Sequence, residues 1–212
     1  MNVNGQSLSR VSSHRYLGIE VDKTLNWQPQ TDTMVKKVSA GLGALKNVRD
    51  YAPHQALIRM YEALILPYFD YCSEVWGCLG KCLSSRLQKL QNRTARIITY
   101  LGYEQRSIYI LNDLGWETLG QRRKKQLAVC AYKSIHNLFP VGLKSLFEPV
   151  PQVHAYNLRG SSNNIFDRRP ETDAARNSFC YRGALLWNGL PNETKTQPSV
   201  ASFKNSLRLL HF

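Results

Sequence analysis

Acidic residues are scarce in this chain. Fifteen Asp and Glu stand against 28 Lys and Arg in 212 residues, leaving a formal charge of +13 and a pI near 9.7. A field of that sign draws polyanions, nucleic acid first and an anionic membrane surface a distant second. Long apolar runs are missing too. None approaches the ~20 residues that a membrane span needs, so no membrane partner is expected. The N-terminus carries no charged-then-apolar export pattern. Cysteines are few and odd in number (Cys72, Cys78, Cys82, Cys130 and Cys180). That count argues against a disulfide framework and for an intracellular setting, nucleus or cytoplasm.

Catalytic constellations are equally thin. No Asp-Asp pair occurs, nor a Gly-x-x-x-x-Gly-Lys phosphate loop, nor a Gly-x-Gly-x-x-Gly turn. In Phe69-Asp70-Tyr71 the second carboxylate that two-metal phosphoryl transfer needs is replaced by Tyr71. Asp70 therefore reads as a helix-surface or inter-helix hydrogen-bonding group. The spacing Cys72-x5-Cys78-x3-Cys82 fits no compact zinc finger. His14, His54, His136, His154 and His211 stand singly, and Ser178-Phe-Cys180 has no basic-acidic pair near it in sequence. The expectation is a chain with no catalytic residue, no metal ligand set and no cofactor.

What is present is material for a core: 43% of residues are hydrophobic and 10% aromatic, too many for a disordered basic tail. The first 27 residues read as extended, with a turn at Asn4-Gly5 between Val3 and Leu8 and an alternating run Tyr16-Leu-Gly-Ile-Glu-Val21. Thr31 or Asp32 is placed to cap a helix with Val35, Val38, Leu42, Leu45 and Val48 on its apolar face. Gly41 and Gly43 within it suit close packing. A second series, Leu57, Ile58, Tyr61, Leu64 and Ile65, should end or kink at Pro67. A helix from Leu119 to Leu138 buries Leu119, Leu127, Cys130, Ala131, Ile135 and Leu138 and turns Arg122, Lys125 and Lys133 outward. From about 152 to 177 the composition is polar and aperiodic, a long surface segment. Ser199 caps a last helix carrying Phe203, Leu207 and Leu210. Trp187 reads as an anchor for the C-terminal segment. The fold class is mainly α, with a short N-terminal β-hairpin, a helical bundle and an irregular C-terminal extension.

The most informative stretch runs from Leu83 to Leu101. As a helix it aligns Leu83, Leu87, Leu90, Thr94, Ile97, Ile98 and Leu101 on one face. Arg86, Lys89, Arg93 and Arg96 form a second stripe, within an arc of roughly 80° set about 110° from the apolar centre. Such a row suits a phosphate backbone, and the alternative is a solvated flank on a core helix. Lys36, Lys37, Lys46, Arg122 and Lys125 are the further candidate phosphate contacts. Tyr68, Tyr71 and Trp76 are read first as core aromatics and second as base-stacking groups.

The order of motifs is itself specific. Arg15-Tyr-Leu-Gly-Ile-Glu-Val-Asp-Lys-Thr-Leu-Asn-Trp27 resembles the segment after the catalytic Asp-Asp hairpin in reverse transcriptases of non-LTR, jockey-like long interspersed elements. Met60-Tyr-Glu-Ala-Leu-Ile-Leu-Pro-Tyr-Phe-Asp-Tyr-Cys-Ser-Glu-Val-Trp76, Leu87-Gln-Lys-Leu-Gln-Asn-Arg-Thr-Ala-Arg96, Leu114-Gly-Trp116, Ala131-Tyr-Lys133, Arg182-Gly-Ala-Leu-Leu-Trp-Asn-Gly-Leu-Pro191 and Ser202-Phe-Lys204 follow in the same order. The resemblance implies that Tyr16, Leu17 and Gly18 form a primer-grip-like turn within a β segment over residues 1–27. It further implies a thumb-like helical region over 28–110 and a connector helix with C-terminal extension over 111–212. The implied partner is a template–primer duplex or RNA/DNA hybrid, bound without sequence preference. The catalytic Asp-Asp motif would lie upstream of Met1, so the resemblance implies a non-catalytic fragment of an RNA-directed DNA polymerase. A protein-interaction module, or a remnant without function, stays open beside it.

Overall fold

The structure is a computed structural model that describes residues 2–3, 6–7, 9–140, 147, 150, 163–166 and 169–210, with side chains from Ser9 onward. The expected turn at Asn4-Gly5, Leu8 and most of the polar 152–177 segment, Arg168 included, lie outside the described residues. The chain divides into two compact units: residues 1–71 with 79–116, and residues 72–78 with 117–212.

The first unit opens with two antiparallel strand pairs. Strand β1 (Asn2–Val3) pairs with β2 (Gln6–Ser7), and β3 (Ser13–Tyr16) pairs with β4 (Ile19–Asp22). The register places Tyr16 opposite Ile19 and Ser13 opposite Asp22. All of β3 is exposed, whereas β4 buries Ile19 and Asp22 as it packs on helix α1 (Gln28–Val48).

Asp22 governs the passage from hairpin to helix. Only 7% exposed, its carboxylate accepts from the Thr24 amide (3.0 Å), the Thr24 hydroxyl (2.5 Å), the Asn26 amide (3.2 Å) and the Trp27 amide (2.8 Å). Burial alone would raise the Asp22 carboxyl, but these donors outweigh it and hold it below the ordinary carboxylate value. Trp27 then takes a left-handed conformation (φ 65°) and α1 starts at Gln28, with Pro29 in its first turn. The helix thus begins ahead of the expected caps. Thr31 is fully buried, with no hydrogen-bond partner for its hydroxyl, and Asp32 lies in the second turn.

Helix α1 buries Met34, Val38, Leu42 and Leu45. Helix α2 (His54–Leu64) buries Leu57 and Tyr61 and gives way at Ile65 to the short α3 (Leu66–Asp70), whose first turn holds Pro67. Of the two helical glycines, only Gly41 is a close approach. A Cβ there would stand 2.8 Å from Ile65 Cγ1, while one at Gly43 would meet nothing within 4 Å. Ile65 is fully buried and cannot yield. Gly41→Ala should therefore destabilise by about 1–3 kcal/mol. Gly43→Ala should stabilise by about 0.5–1 kcal/mol through helix propensity. Thermal melts of the two variants moving in opposite directions would bear this out, and stabilisation by both would refute the close contact.

Helix α5 (Lys81–Thr99) buries Leu87, Leu90, Gln91, Thr94, Ala95 and Ile98 and packs on α1 and α2. Helix α6 (Ser107–Asp113) ends at Leu114. Gly115 then adopts φ 66°, and the Trp116 amide returns to the Leu111 carbonyl at 2.7 Å. This left-handed stop explains Leu114-Gly-Trp116. It throws Trp116 back to stack on Tyr61, ring centroids 3.9 Å apart.

In the second unit, α4 (Ser73–Trp76) buries Trp76 against α7 (Leu119–Ile135). Thr118 and Gln121 form a reciprocal capping box at the start of α7. The helix stops at Ile135 and not at Leu138. Asn137 takes φ 56° and the Leu138 amide returns to the Lys133 carbonyl at 2.8 Å, which turns Leu138 out to solvent. Cys130 is half-buried rather than core, and Arg123 is buried in its stead. Burial, with Glu74 alongside, pushes the Cys130 thiol up to about 12. The exposed Cys82 on α5 should therefore alkylate first and Cys130 last under native conditions, read by mass spectrometry. Early loss of the Cys130 thiol would contradict its placement.

Helix α8 (Asp173–Arg176) precedes α9 (Phe179–Asn188), which packs along α7. Trp187 is an anchor: its indole donates to the Asn163 carbonyl at 2.8 Å and its ring lies near Tyr132 and Phe203. Helix α10 (Asn192–Lys195) and α11 (Val200–Leu209) close the unit, with Ser199 capping α11 and Phe203 and Leu207 buried.

Candidate nucleic-acid interface

Two contacts at opposite ends show how α1 and α5 lie together. Near the helix starts, Arg86 of α5 donates to Asp32 of α1 at 2.5 Å. At the helix ends, the Tyr100 hydroxyl donates to the Arg49 carbonyl. The helices therefore run parallel, side by side over most of their length. At 100° per residue, Lys36 and Lys46 fall within about 40° of Asp32, and Lys89 and Arg93 within about 60° of Arg86. Lys36, Lys46, Lys89 and Arg93 are all exposed. The product is a seam between two parallel helices flanked by four lysine and arginine heads, its α1 side kept low by Ser39 and Gly43.

The four cations of the α5 stripe are not equivalent. Arg86 is committed to Asp32. A hydrogen bond from Gln28, the Arg86 pair and the charge of Lys36 together hold the Asp32 carboxyl below its usual value. Arg96 turns away to the segment after α5, donating to the carbonyls of Gly102 (3.1 Å) and Gln105 (2.8 Å) and to the Ser107 hydroxyl (2.8 Å). Lys89 and Arg93 make no such contact among the described residues. Lys37 lies on another side of α1, its ammonium 5.3 Å from the centre of the Tyr68 ring. Arg122 and Lys125 belong to the second unit, where both are half-buried and Lys125 pairs with Glu117.

Tyr16, Leu17 and Gly18 form the tip of the β3–β4 hairpin. Tyr16 is 66% and Leu17 72% exposed, and Leu17 (φ 47°) and Gly18 (φ 84°) make a two-residue turn with both φ angles positive. A left-handed leucine costs about 1 kcal/mol or more, so something must hold it. Tyr71 does: its hydroxyl donates to the Leu17 carbonyl at 2.8 Å, and its ring would lie 3.7 Å from a Cβ on Gly18. No local pattern signals this buttress, because its two halves are 54 residues apart.

Cys72 and Cys78 are half-buried and Cys82 is exposed. Among the described residues no group of three or more His, Cys, Asp or Glu is placed to hold a metal ion. No described helix is long and apolar enough to cross a membrane.

Fold and surface thus define a basic, mainly helical chain that opens with a short antiparallel β-hairpin, β4 of which packs on helix α1. The chain is similar to the probable RNA-directed DNA polymerase from transposon BS of Drosophila melanogaster, 27% identical over 125 residues. That match covers 58% of this chain and 14% of the relative's length. No family model matches the chain. No solved structure matches it significantly.

Proposed function

We propose that this chain is the duplex-gripping, non-catalytic part of a transposon RNA-directed DNA polymerase of the non-LTR, jockey-like kind. Residues 28–110 would act as its thumb, and residues 111–212 as connector and C-terminal extension. One observation carries the reading: the parallel α1–α5 seam, which lines up Lys36, Lys46, Lys89 and Arg93 in the open. A row of fixed cations at helical spacing neutralises phosphates and takes no account of base identity. The Tyr16-Leu17-Gly18 tip, exposed and held by Tyr71, would sit as the primer-grip-like turn. Catalysis would belong to an Asp-Asp palm that this sequence does not contain.

The test is a salt titration of fluorescence anisotropy on a DNA duplex and an RNA/DNA hybrid, with an uncharged-backbone duplex as control. Binding to both charged duplexes that weakens log-linearly with salt is expected. Salt-insensitive binding, or equal affinity for the uncharged control, would remove the reading and leave an acidic protein as the better partner.

A further inference from the structure

We infer that the joined C-terminal ends of α1 and α5 form a stacking site for single-stranded nucleic acid, with Tyr51 and Tyr103 as its platforms. The residues differ from those of the basic seam, so the site stands apart from the duplex reading.

Large aromatic side chains normally bury most of their surface. Tyr51, just past α1, is 90% exposed, and Tyr103, just past α5, is 79% exposed. Tyr100 and Tyr109, also of this region, are about half exposed. Neither platform dangles on a loose end. The Tyr51 amide is tied to the Val48 carbonyl at 3.1 Å. The segment carrying Tyr103 is fastened by the three Arg96 hydrogen bonds described above, and the Arg96 guanidinium lies over the Tyr103 ring, 4.9 Å from its centre.

The two ends are joined through Tyr100. It takes φ 61°, a conformation that costs an aromatic residue about 1 kcal/mol or more. Its ring thereby meets the Arg49 guanidinium at 4.1 Å and its hydroxyl reaches the Arg49 carbonyl. The result is a surface of exposed tyrosines in which Arg49 lies over Tyr100 and Arg96 over Tyr103, with the exposed Arg106 a few residues further along the chain. Asp50, paired to Arg49 at 3.4 Å, and Glu104 are the acidic groups nearby in sequence, so the arginines stay in excess.

That combination selects its ligand. Bases in a duplex are stacked on one another and offer no free face, whereas a single strand offers a face at every base. Aromatic platforms with neighbouring arginines are what capture such strands without regard to sequence. Because stacking releases no counterions, it adds affinity without adding to the salt dependence.

The experiment uses the full chain and a fluorescent pyrimidine oligonucleotide of about 12 nucleotides, a span fitting such sites. Tyr51→Leu/Tyr103→Leu should weaken single-strand binding by roughly tenfold or more. The salt slope and the affinity for duplex should stay unchanged, as should the far-UV circular dichroism. Photocrosslinking of the wild-type chain to a 5-iodouracil oligonucleotide should mark peptides containing Tyr51 or Tyr103. No single-strand binding by the wild type, unchanged affinity of the variant, or crosslinks confined to α5 would each overturn the proposal. Failure of the duplex reading would show instead as a seam variant with an unaltered slope on duplex.

Discussion

Replacing Lys89 and Arg93 together by glutamine is expected to flatten the log-affinity against log-salt line on duplex by about 1.8. Each phosphate contact contributes about −0.9 to that slope. At about 50 mM salt the same arithmetic weakens binding by roughly two orders of magnitude relative to 1 M. The substitution should not disturb the fold, because both side chains are exposed and glutamine is a good helix former. Arg86 and Arg96 belong to a different experiment. Arg86→Gln removes one cation but uncovers Asp32, and Arg96→Gln frees the segment after α5. Both should therefore lower binding through more than one route. An unchanged slope in the Lys89/Arg93 variant, with helicity retained, would mean that the seam is a solvated flank.

Asp22→Ala is expected to lower stability by about 3 kcal/mol, the order expected when a buried carboxylate that accepts several hydrogen bonds is removed. The amides of Asn26 and Trp27 would lose their acceptor, and α1 its fixed starting point. The wild type should also carry a pH signature. Because the folded Asp22 carboxyl sits below its ordinary value, the unfolded chain binds the proton more readily in acid. Its contribution is complete above about pH 4 and is lost as pH falls through the lowered folded value. Urea melts of wild type and Asp22→Ala should therefore converge as pH drops from about 5 towards 2. Parallel curves over that range would show that the carboxylate does not stabilise the passage from hairpin to helix.

The readings that came true from sequence rest on local periodicity. The apolar face of α5 was legible because Leu87, Leu90, Thr94 and Ile98 recur at helical spacing, and all four are buried. Ser199 was legible as a cap and Trp187 as an anchor on equally local grounds: each is recognised by residue type and immediate neighbours. Pro67 marked the break between α2 and α3. The misreadings occur where a distant or unfamiliar partner intervenes. Thr31 was a plausible cap on its own, yet Asp22 from the hairpin ties down the Trp27 amide and α1 starts a turn early. Leu138 continued the α7 pattern, but Asn137 stopped the helix in a conformation that periodicity does not register.

The helical class, the apolar face of α5 and the stripe of cations beside it were readable from residue spacing alone. Each follows from the angle between successive residues on one helix, which no tertiary contact alters. Which cations remain available depends on contacts between elements. Arg86 and Arg96 find their partners 54 and 6 to 11 residues away, across a helix pair and around a turn, while Lys89 and Arg93 are left facing solvent. Contacts of the same kind set α1 and α5 parallel. That arrangement brings Lys36 and Lys46 to the seam and gathers Tyr51, Tyr100 and Tyr103 at its far end. The cause is packing: α1 and α5 bury their apolar faces, and the charges and rings outside that contact take the positions it leaves them.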